Sequence, residues 1–455
     1  MGLRTRFLDL ADHLSFLAQW VLYRAILLLE RLRDLFPPFG RDPALWVFGA
    51  RGGEAFADNA KYLYLHVAAE RPEVRPVWLS KDRAVVADLQ SAGYEAYHCY
   101  SLRGLLLNLR ARVVLFTQGH RDLAMPCCAG AFAVQLWHGV PLKRISWDAE
   151  FPDLPWPVRL AHADMAEEMD LLAVPDRELV EIFASGLRIA PDRMVLAGYP
   201  RNDALFDAIP GEEVATDSPA LARVSALAGD GRLVAYLPTY RGWTDESVAD
   251  RLDFASLDDF LAERDATLVV KTHPNESIEL PEDCSRVVQL PAATDPYPLL
   301  RQADALVTDY SSVYVDYLLL DRPIVYYPYD LDEYRSMRGF YLDYDSVTPG
   351  PVAQTFDDLL DGLDRALARS DADADRRQEV RERLLDGDPG VRDHREESLG
   401  GNSETSRERA GAGMPAPARS RPSQSAVPPS RTPRSAAVFE AIRSRLRGRE
   451  GRPSE

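Results

Sequence analysis

Residues 304–330 read DALVTDYSSVYVDYLLLDRPIVYYPYD. The short apolar run Ala305–Val307 breaks into Thr308-Asp309-Tyr310-Ser311-Ser312, and a second apolar stretch follows at once. An apolar run of this length bounded by turn residues is the pattern of a buried parallel strand, and Thr, Asp or Ser ahead of an apolar-periodic segment is the pattern of a helix start. The stretch therefore predicts a strand-to-helix turn at Asp309–Ser312. Two readings fit that turn. One hydroxyl of Ser311 or Ser312 caps the helix, or both join the free backbone N–H groups and the positive end of the helix dipole in holding a phosphate.

Outward from this turn the same alternation recurs. From about residue 44, ALWVFG, RPVWLS, RVVLFTQ, AFAVQLWHG, DLLAVPD and MVLAGYP alternate with helix-like segments; after a polar stretch at about 207–230, RLVAYLPTY, ATLVVKTHP, SRVVQLP, DALVTDY and RPIVYYPYD do the same. Strands alternating with helical lengths imply parallel sheets covered on both faces. Two such series in 455 residues imply two α/β domains, each with a full core. The expected boundaries are 41–206 and 207–395, with an N-terminal helical region at 1–40 and a tail at 396–455.

Ligands of open α/β sheets bind beyond the carboxyl ends of the strands, so the polar residues that end each run are expected to share one cleft. These are Trp137-His138-Gly139, Gly198-Tyr199-Pro200-Arg201-Asn202-Asp203, Pro238-Thr239-Tyr240-Arg241, Lys271-Thr272-His273-Pro274 and Asp309–Ser312. His138, with Gly139 and Pro141 allowing a sharp turn, has the ordinary pKa of ~6.5 that lets an imidazole take a proton from a hydroxyl near neutrality; a histidine hydrogen-bonded in the core is the plainer reading. His273 ends the corresponding run of the second series, where a ring among phosphate donors holds charge rather than removing a proton. Lysine is scarce, present only at Lys61, Lys81, Lys143 and Lys271, and three of the four fall in or beside these segments.

Composition narrows the partners. The net charge is −18, and residues 407–455 alone hold 11 arginines against four acidic residues, so the body is acidic and the tail basic. An acidic body lacks the contiguous basic face that duplex nucleic acid requires. Cys99, Cys127, Cys128 and Cys284 show neither zinc-site nor disulfide spacing, which implies a reduced, cytoplasmic setting. The N-terminal MGLRTRFLDLADHLSFLAQWVLYRAILLLERLRDLF is broken by Asp12, Arg24 and Glu30 before any apolar run reaches the ~20 residues of a membrane span. Arg4, Arg6, Arg24, Arg31 and Arg33 beside Phe16, Trp20 and Leu27–Leu29 suit an amphipathic helix lying on an anionic membrane surface, and a helix docked on the domain is the alternative. Residues 396–455, rich in Ser, Pro, Gly and Arg, are expected to be disordered, with a short helix possible at SAAVFEAIRSRLRGR.

The segments VFGARGG…DNAKYLY, QLWHGVPLKRISWD, AGYPRNDALF, YLPTYRG, KTHP and VTDYSSVYVDYLLLDRPIVYYPYDLDEYRSMRGFYLDYDSVTPGP together resemble the CDP-glycerol:poly(glycerophosphate) glycerophosphotransferase family, the wall teichoic acid primases and polymerases. The likeness runs in order from about residue 46 to about 365. It implies a GT-B-like pair of Rossmann-type domains, with an acceptor in the first and a CDP-alcohol in the second. The roles it implies are general base for His138, and a pyrophosphate site for His273, Ser311 and Ser312, joined by Arg338 of RGFY and Lys271. Asp309, Thr239, Arg241, Arg201, Asn202 and Lys143 complete the expected cleft, with no metal ligand and no cofactor beyond the donor substrate. Val140 stands where the family usually has Thr, and the Arg-rich tail replaces the family's usual end.

The expected reaction moves glycerol phosphate from CDP-glycerol to a hydroxyl of a lipid-linked or polymeric acceptor, releasing CMP at the inner face of the membrane. A CDP-ribitol donor, sugar transfer from a nucleotide-sugar on the same fold, and an inactive scaffold are the competing expectations.

Overall fold

The computed structural model describes residues 3–33, 40–241, 243–244, 247–272, 276, 278–282, 284–368, 372–385 and 433–450. The first series of apolar runs forms strands β1 (Asp42–Phe48), β2 (Arg75–Ser80), β3 (Ala96–His98), β4 (Ala111–Phe116), β5 (Phe132–Gln135), β6 (Leu171–Val174) and β7 (Met194–Leu196). They lie side by side, all parallel, in the order β3-β2-β1-β4-β5-β6-β7. The second series gives β8 (Arg232–Leu237), β9 (Ala266–Val270), β10 (Val287–Gln289), β11 (Ala305–Thr308) and β12 (Ile324–Tyr326), parallel in the order β10-β9-β8-β11-β12. The α/β, GT-B-like pair of sheets stands as the sequence implied. Helices cover both faces, which is why Leu45–Phe48 and Leu306–Val307 are almost completely buried with no polar alternation. Edge strand β3 is too short to have announced itself as an apolar run.

In each sheet the order reverses beside the first strand, between β1 and β4 and between β8 and β11. Crevices outside the carboxyl ends of strands at such reversals are the ligand sites of open sheets. Two buried ion clusters tie the two halves together. Lys61 Nζ donates to Asp295 (2.6 Å) and to the Glu212 carbonyl (2.7 Å), and Tyr62 Oη donates to the same carboxylate. Arg201 donates to Asp58 (2.6 Å) on the first domain and to Asp316 (2.7 Å) on the second. A backbone pairing adds to them: Tyr341 N donates to Leu142 O (2.9 Å) and Arg144 N to Gly339 O (3.3 Å).

The N-terminal helix, Leu3–Arg33, is docked rather than free. Phe16 and Tyr23 are buried, Phe16 stacks on His162 at 4.3 Å, Trp20 Nε1 donates to Asp164, and Arg24 pairs with Asp164 and Glu168. Phe16, Trp20 and Arg24, read from the sequence as facing a membrane, are thus docking residues, because His162, Asp164 and Glu168 offer them a ring and two carboxylates across the groove. The opposite arc is apolar and exposed. Leu10, Leu14, Val21, Leu22, Leu28 and Leu29 are each more than half exposed, at spacings of four and seven that hold them on one face.

The tail needs correction. Arg434–Glu450 is a helix whose Val438, Phe439 and Ile442 are buried against the first domain. Phe439 meets Trp46 of β1 at 5.2 Å and Arg71 at 4.6 Å. Its start is held by Asp203, which accepts from the backbone N–H groups of Arg434 (2.8 Å) and Ser435 (2.9 Å) and from Ser435 Oγ (2.7 Å). The helix named as possible at Ser435–Arg449 is therefore present, and what the sequence did not give is its docking: four apolar residues at i, i+1, i+4 and i+8 make a face inside an otherwise polar segment. Residues 386–432 and 451–455 lie outside the described residues.

Candidate active site

His138 follows β5 across a turn with two residues at positive φ. Trp137 has φ +57° and Gly139 φ +137°, and a Cβ on Gly139 would stand 2.3 Å from Ser312 Oγ. Glycine is therefore required twice, by its backbone angle and by the approach of the second domain. His138 Nδ1 lies 3.2 Å from the Thr117 carbonyl at the end of β4. That contact selects the tautomer with hydrogen on Nδ1 and leaves the Nε2 lone pair available. The His138 carbonyl accepts from Arg201 (2.9 Å), so the turn is gripped from both ends. Burial lowers the imidazole pKa from its ordinary value, partly offset by the Asp58 carboxylate. The ring is neutral at pH 7 and can accept a proton.

The strand ends of the second domain divide into structural and available groups. Asp309 is fully buried and accepts from Thr239 N and from Arg241 (2.8 Å), while Arg241 also clamps Asp330 (2.7 Å). Both side chains, read from sequence as lining a cleft, are held in a closed ion network beneath it, because two carboxylates bracket one guanidinium. Thr239 Oγ1 and the Asn202 amide are buried without a hydrogen-bond partner among the described residues. Among the described residues, Ser311 Oγ accepts only a long contact from Val313 N (3.4 Å), and Ser312 makes no side-chain capping bond. Simple capping therefore leaves the second hydroxyl unexplained.

Cations surround this turn. Lys143 Nζ sits 5.6 Å over the Tyr334 ring, its pKa brought down to about 8 by burial and by neighbouring Arg338 and Arg241. Lys271 donates to the Ala292 carbonyl (3.0 Å) and is likewise lowered to about 8, by burial and by Arg51 across the cleft. A lowered lysine pKa marks a cation short of counter-charge, the state that an anionic ligand relieves. His273 lies outside the described residues. Among the described residues no group of three or more His, Cys, Asp or Glu side chains is placed to hold a metal ion.

Beside His138 a cavity of about 440 Å³ opens, walled by both domains and by the N-terminal helix. Its lining includes Phe16, Trp147, His162, His138 and Arg338. Sequence reasoning did not find Thr117, Asp58 or Asp316. Their segments had drawn notice for other residues or as apolar runs, and nothing local names the partners through which they act.

With this geometry in view, the likeness to known proteins is specific. The family model for CDP-glycerol:poly(glycerophosphate) glycerophosphotransferase matches residues 34–394. The chain is 28% identical over 333 residues to the teichoic acid poly(glycerol phosphate) polymerase of Staphylococcus epidermidis, covering 68% of this chain and 44% of that protein. It is 27% identical over 361 residues to the polymerase of that name from Bacillus spizizenii, covering 75% and 88%. The chain thus spans less than half of the first relative and most of the second. The solved wall teichoic acid polymerase TagF superposes with a TM-score of 0.64 at 23% identity over 88% of this chain and 98% of that one, a likeness of fold; TagF has also been solved after a soak with CDPG.

Proposed function

The chain belongs to the CDP-glycerol:poly(glycerophosphate) glycerophosphotransferase family, and from that premise we propose that it moves glycerol phosphate from CDP-glycerol to an acceptor hydroxyl. The observation that carries this reading is the His138 turn: a neutral imidazole with Nε2 available, set against the Ser311-Ser312 turn and Arg338. The acceptor O–H gives its proton to His138 Nε2. The oxygen bonds to the phosphorus that carries glycerol, the bond from that phosphorus to the bridging oxygen breaks, and CMP leaves. Ser311, Ser312, Lys271, Arg338 and His273 are assigned to the pyrophosphate. Charge neutralisation and positioning carry most of such a step.

A donor panel tests this directly. CMP release from CDP-glycerol supports it; release of UDP from a nucleotide-sugar with no use of any CDP-alcohol overturns it, and preference for CDP-ribitol changes the alcohol alone. Ser311→Ala and Ser312→Ala are each expected to weaken CDP-glycerol binding, a hydrogen bond to a charged phosphate being worth ~1.5–3 kcal/mol. Isothermal calorimetry reads this as a Kd raised by roughly 10- to 150-fold. Unchanged Kd in both variants would return the serines to helix capping.

The same reading places the enzyme on the inner face of the cell membrane, within the cytoplasm, next to a lipid-linked or polymeric acceptor. No helix among the described residues is long and apolar enough to cross a membrane. The exposed leucine arc of the N-terminal helix supplies apolar area for surface binding. Deleting the helix would uncover the groove that Phe16 and Tyr23 fill, so the informative change is on the outer arc. Leu14→Glu, Leu22→Glu and Leu28→Glu combined are expected to cut sedimentation with anionic liposomes at least tenfold while the melting temperature holds, each leucine contributing on the order of 1.5–3 kcal/mol when fully buried. Undiminished sedimentation would shift the anchor elsewhere.

A further inference from the structure

Arg51 stands just beyond β1, where the order of the first sheet reverses, and we propose that its guanidinium holds the distal phosphate of the donor, the one that carries glycerol, so that the cleft grips the pyrophosphate from both domains. The inference rests on the reading of the chain as a CDP-glycerol transferase.

The loop that carries Arg51 is held in one conformation. Arg51, Gly52 and Gly53 have φ of +47°, +68° and +87° in succession. Gly52 N donates to Asp122 Oδ1 (2.7 Å), and Asp122 Oδ2 accepts from Thr117 N (2.8 Å) and Gln118 N (2.9 Å) beyond β4. The Gly53 carbonyl accepts from Ser80 Oγ (2.7 Å) and Lys81 N (2.6 Å) at the end of β2. One carboxylate and one carbonyl thus pin this loop to the ends of two neighbouring strands. At Arg51 the backbone angle suits glycine, yet an arginine stands there. Asp58, which Arg51 faces, is left-handed as well, with φ +65°. Non-glycine residues persist in this region only where the surroundings over-determine them, and they gather at ligand clamps.

The charge of Arg51 has only a weak partner. Its Nε lies 3.8 Å from Asp58 Oδ2, and its side chain is about half exposed. The same carboxylate is already met at 2.6 Å by Arg201. Across the cleft stands Lys271, directly after β9, and Arg51 is close enough to help bring its pKa down to about 8. Asp295 acts against that shift, but its own carboxylate is held by Lys61 and Tyr62. Two cations on opposite walls repel one another until an anion comes between them.

The position of Arg51 selects which phosphate that is. Its backbone N–H lies 3.4 Å from Thr117 Oγ1, and the Thr117 carbonyl is the group that orients His138. A phosphate held by Arg51 and Lys271 is therefore on the side of the cleft where the base works. The distal phosphate is the one needed there, because its phosphorus takes the acceptor oxygen as CMP leaves. A guanidinium fork matches two of its oxygens.

Arg51→Gly tests this on the full chain. Glycine accepts the backbone angle without strain, so the variant is expected to keep its melting temperature while losing the charge. By calorimetry its CDP-glycerol Kd is expected to rise roughly tenfold or more, as for the loss of a hydrogen bond to a charged phosphate, while the Kd for CMP, which lacks the distal phosphate, stays within about twofold. Arg51→Lys, which keeps a charge, is expected to recover part of the CDP-glycerol affinity. CDP-glycerol bound as tightly by Arg51→Gly as by the wild type would overturn the inference and leave the donor reading intact. A CMP Kd that rises as much as the CDP-glycerol Kd, with or without a lower melting temperature, would assign Arg51 to the proximal phosphate or to the fold and overturn it equally. A wild type that binds no CDP-glycerol would overturn the proposed function, and the inference with it.

Discussion

In a His138→Ala variant, kcat for glycerol phosphate transfer is expected to fall by roughly 10²- to 10⁴-fold, the range for removing a positioned general base, while the CDP-glycerol Kd stays near its original value. The separation follows from the geometry. The imidazole is tied through Nδ1 to the Thr117 carbonyl, so its free nitrogen meets the acceptor proton as the new bond forms and adds little to ground-state donor binding. The pH profile is a second check. Burial lowers the His138 pKa, so the base stays unprotonated somewhat below the ordinary histidine range of ~6.5. The acid limb of kcat/KM is therefore expected below pH 6.5 and should disappear from the residual rate of the alanine variant. A normal turnover in His138→Ala would remove this residue from the reaction.

Arg201→Ala is expected to be the most damaging single change to stability. The guanidinium joins Asp58, Asp316 and the His138 carbonyl, and all three side chains are almost entirely buried. Removing it strands two carboxylates where water does not reach, and breaking a buried pair costs about 3–5 kcal/mol. For domains of this size, at about 2–4 °C per kcal/mol, the melting temperature should drop by roughly 6–20 °C. Lysine should rescue little, because one ammonium cannot reproduce a planar fork that reaches two carboxylates at once. Combining Arg201→Met with Asp58→Asn and Asp316→Asn should recover much of the loss, since no buried charge then stands alone. If Arg201→Ala melted with the wild type, the cluster would not be what joins the domains at this point.

Much of the architecture was legible because it is written locally. Each buried parallel strand needs a short run such as Leu306-Val307 or Leu268–Val270, and each run ends in polar residues where the sheet ends. The same rule made His138, Ser312 and Lys271 candidates by their place at strand ends. What it could not supply was partnership. Lys61 and Asp295 are 234 residues apart, and nothing in either neighbourhood names the other. Arg241 and Asp309 showed the converse error: polar residues at strand ends, indistinguishable by type from ligand-binding ones, spend their charge on each other. Phe16 and Trp20 read as membrane-facing because periodicity gives the faces of a helix but not which face meets protein. The Arg434–Glu450 helix was legible as a possible short helix, but not that it docks on the first domain, because the polar composition around it gave no sign of a partner.

That last helix sets an order on how the molecule is made. Val438, Phe439 and Ile442 complete the core around Trp46 of β1, so the strands of the first sheet await residues translated after the whole second sheet. At ~5–20 residues per second, roughly ten to fifty seconds separate synthesis of the first sheet from arrival of its final covering helix. Through that interval a nascent chain carries an uncovered apolar patch at β1, and the domain begun first is completed only after the second domain has been made.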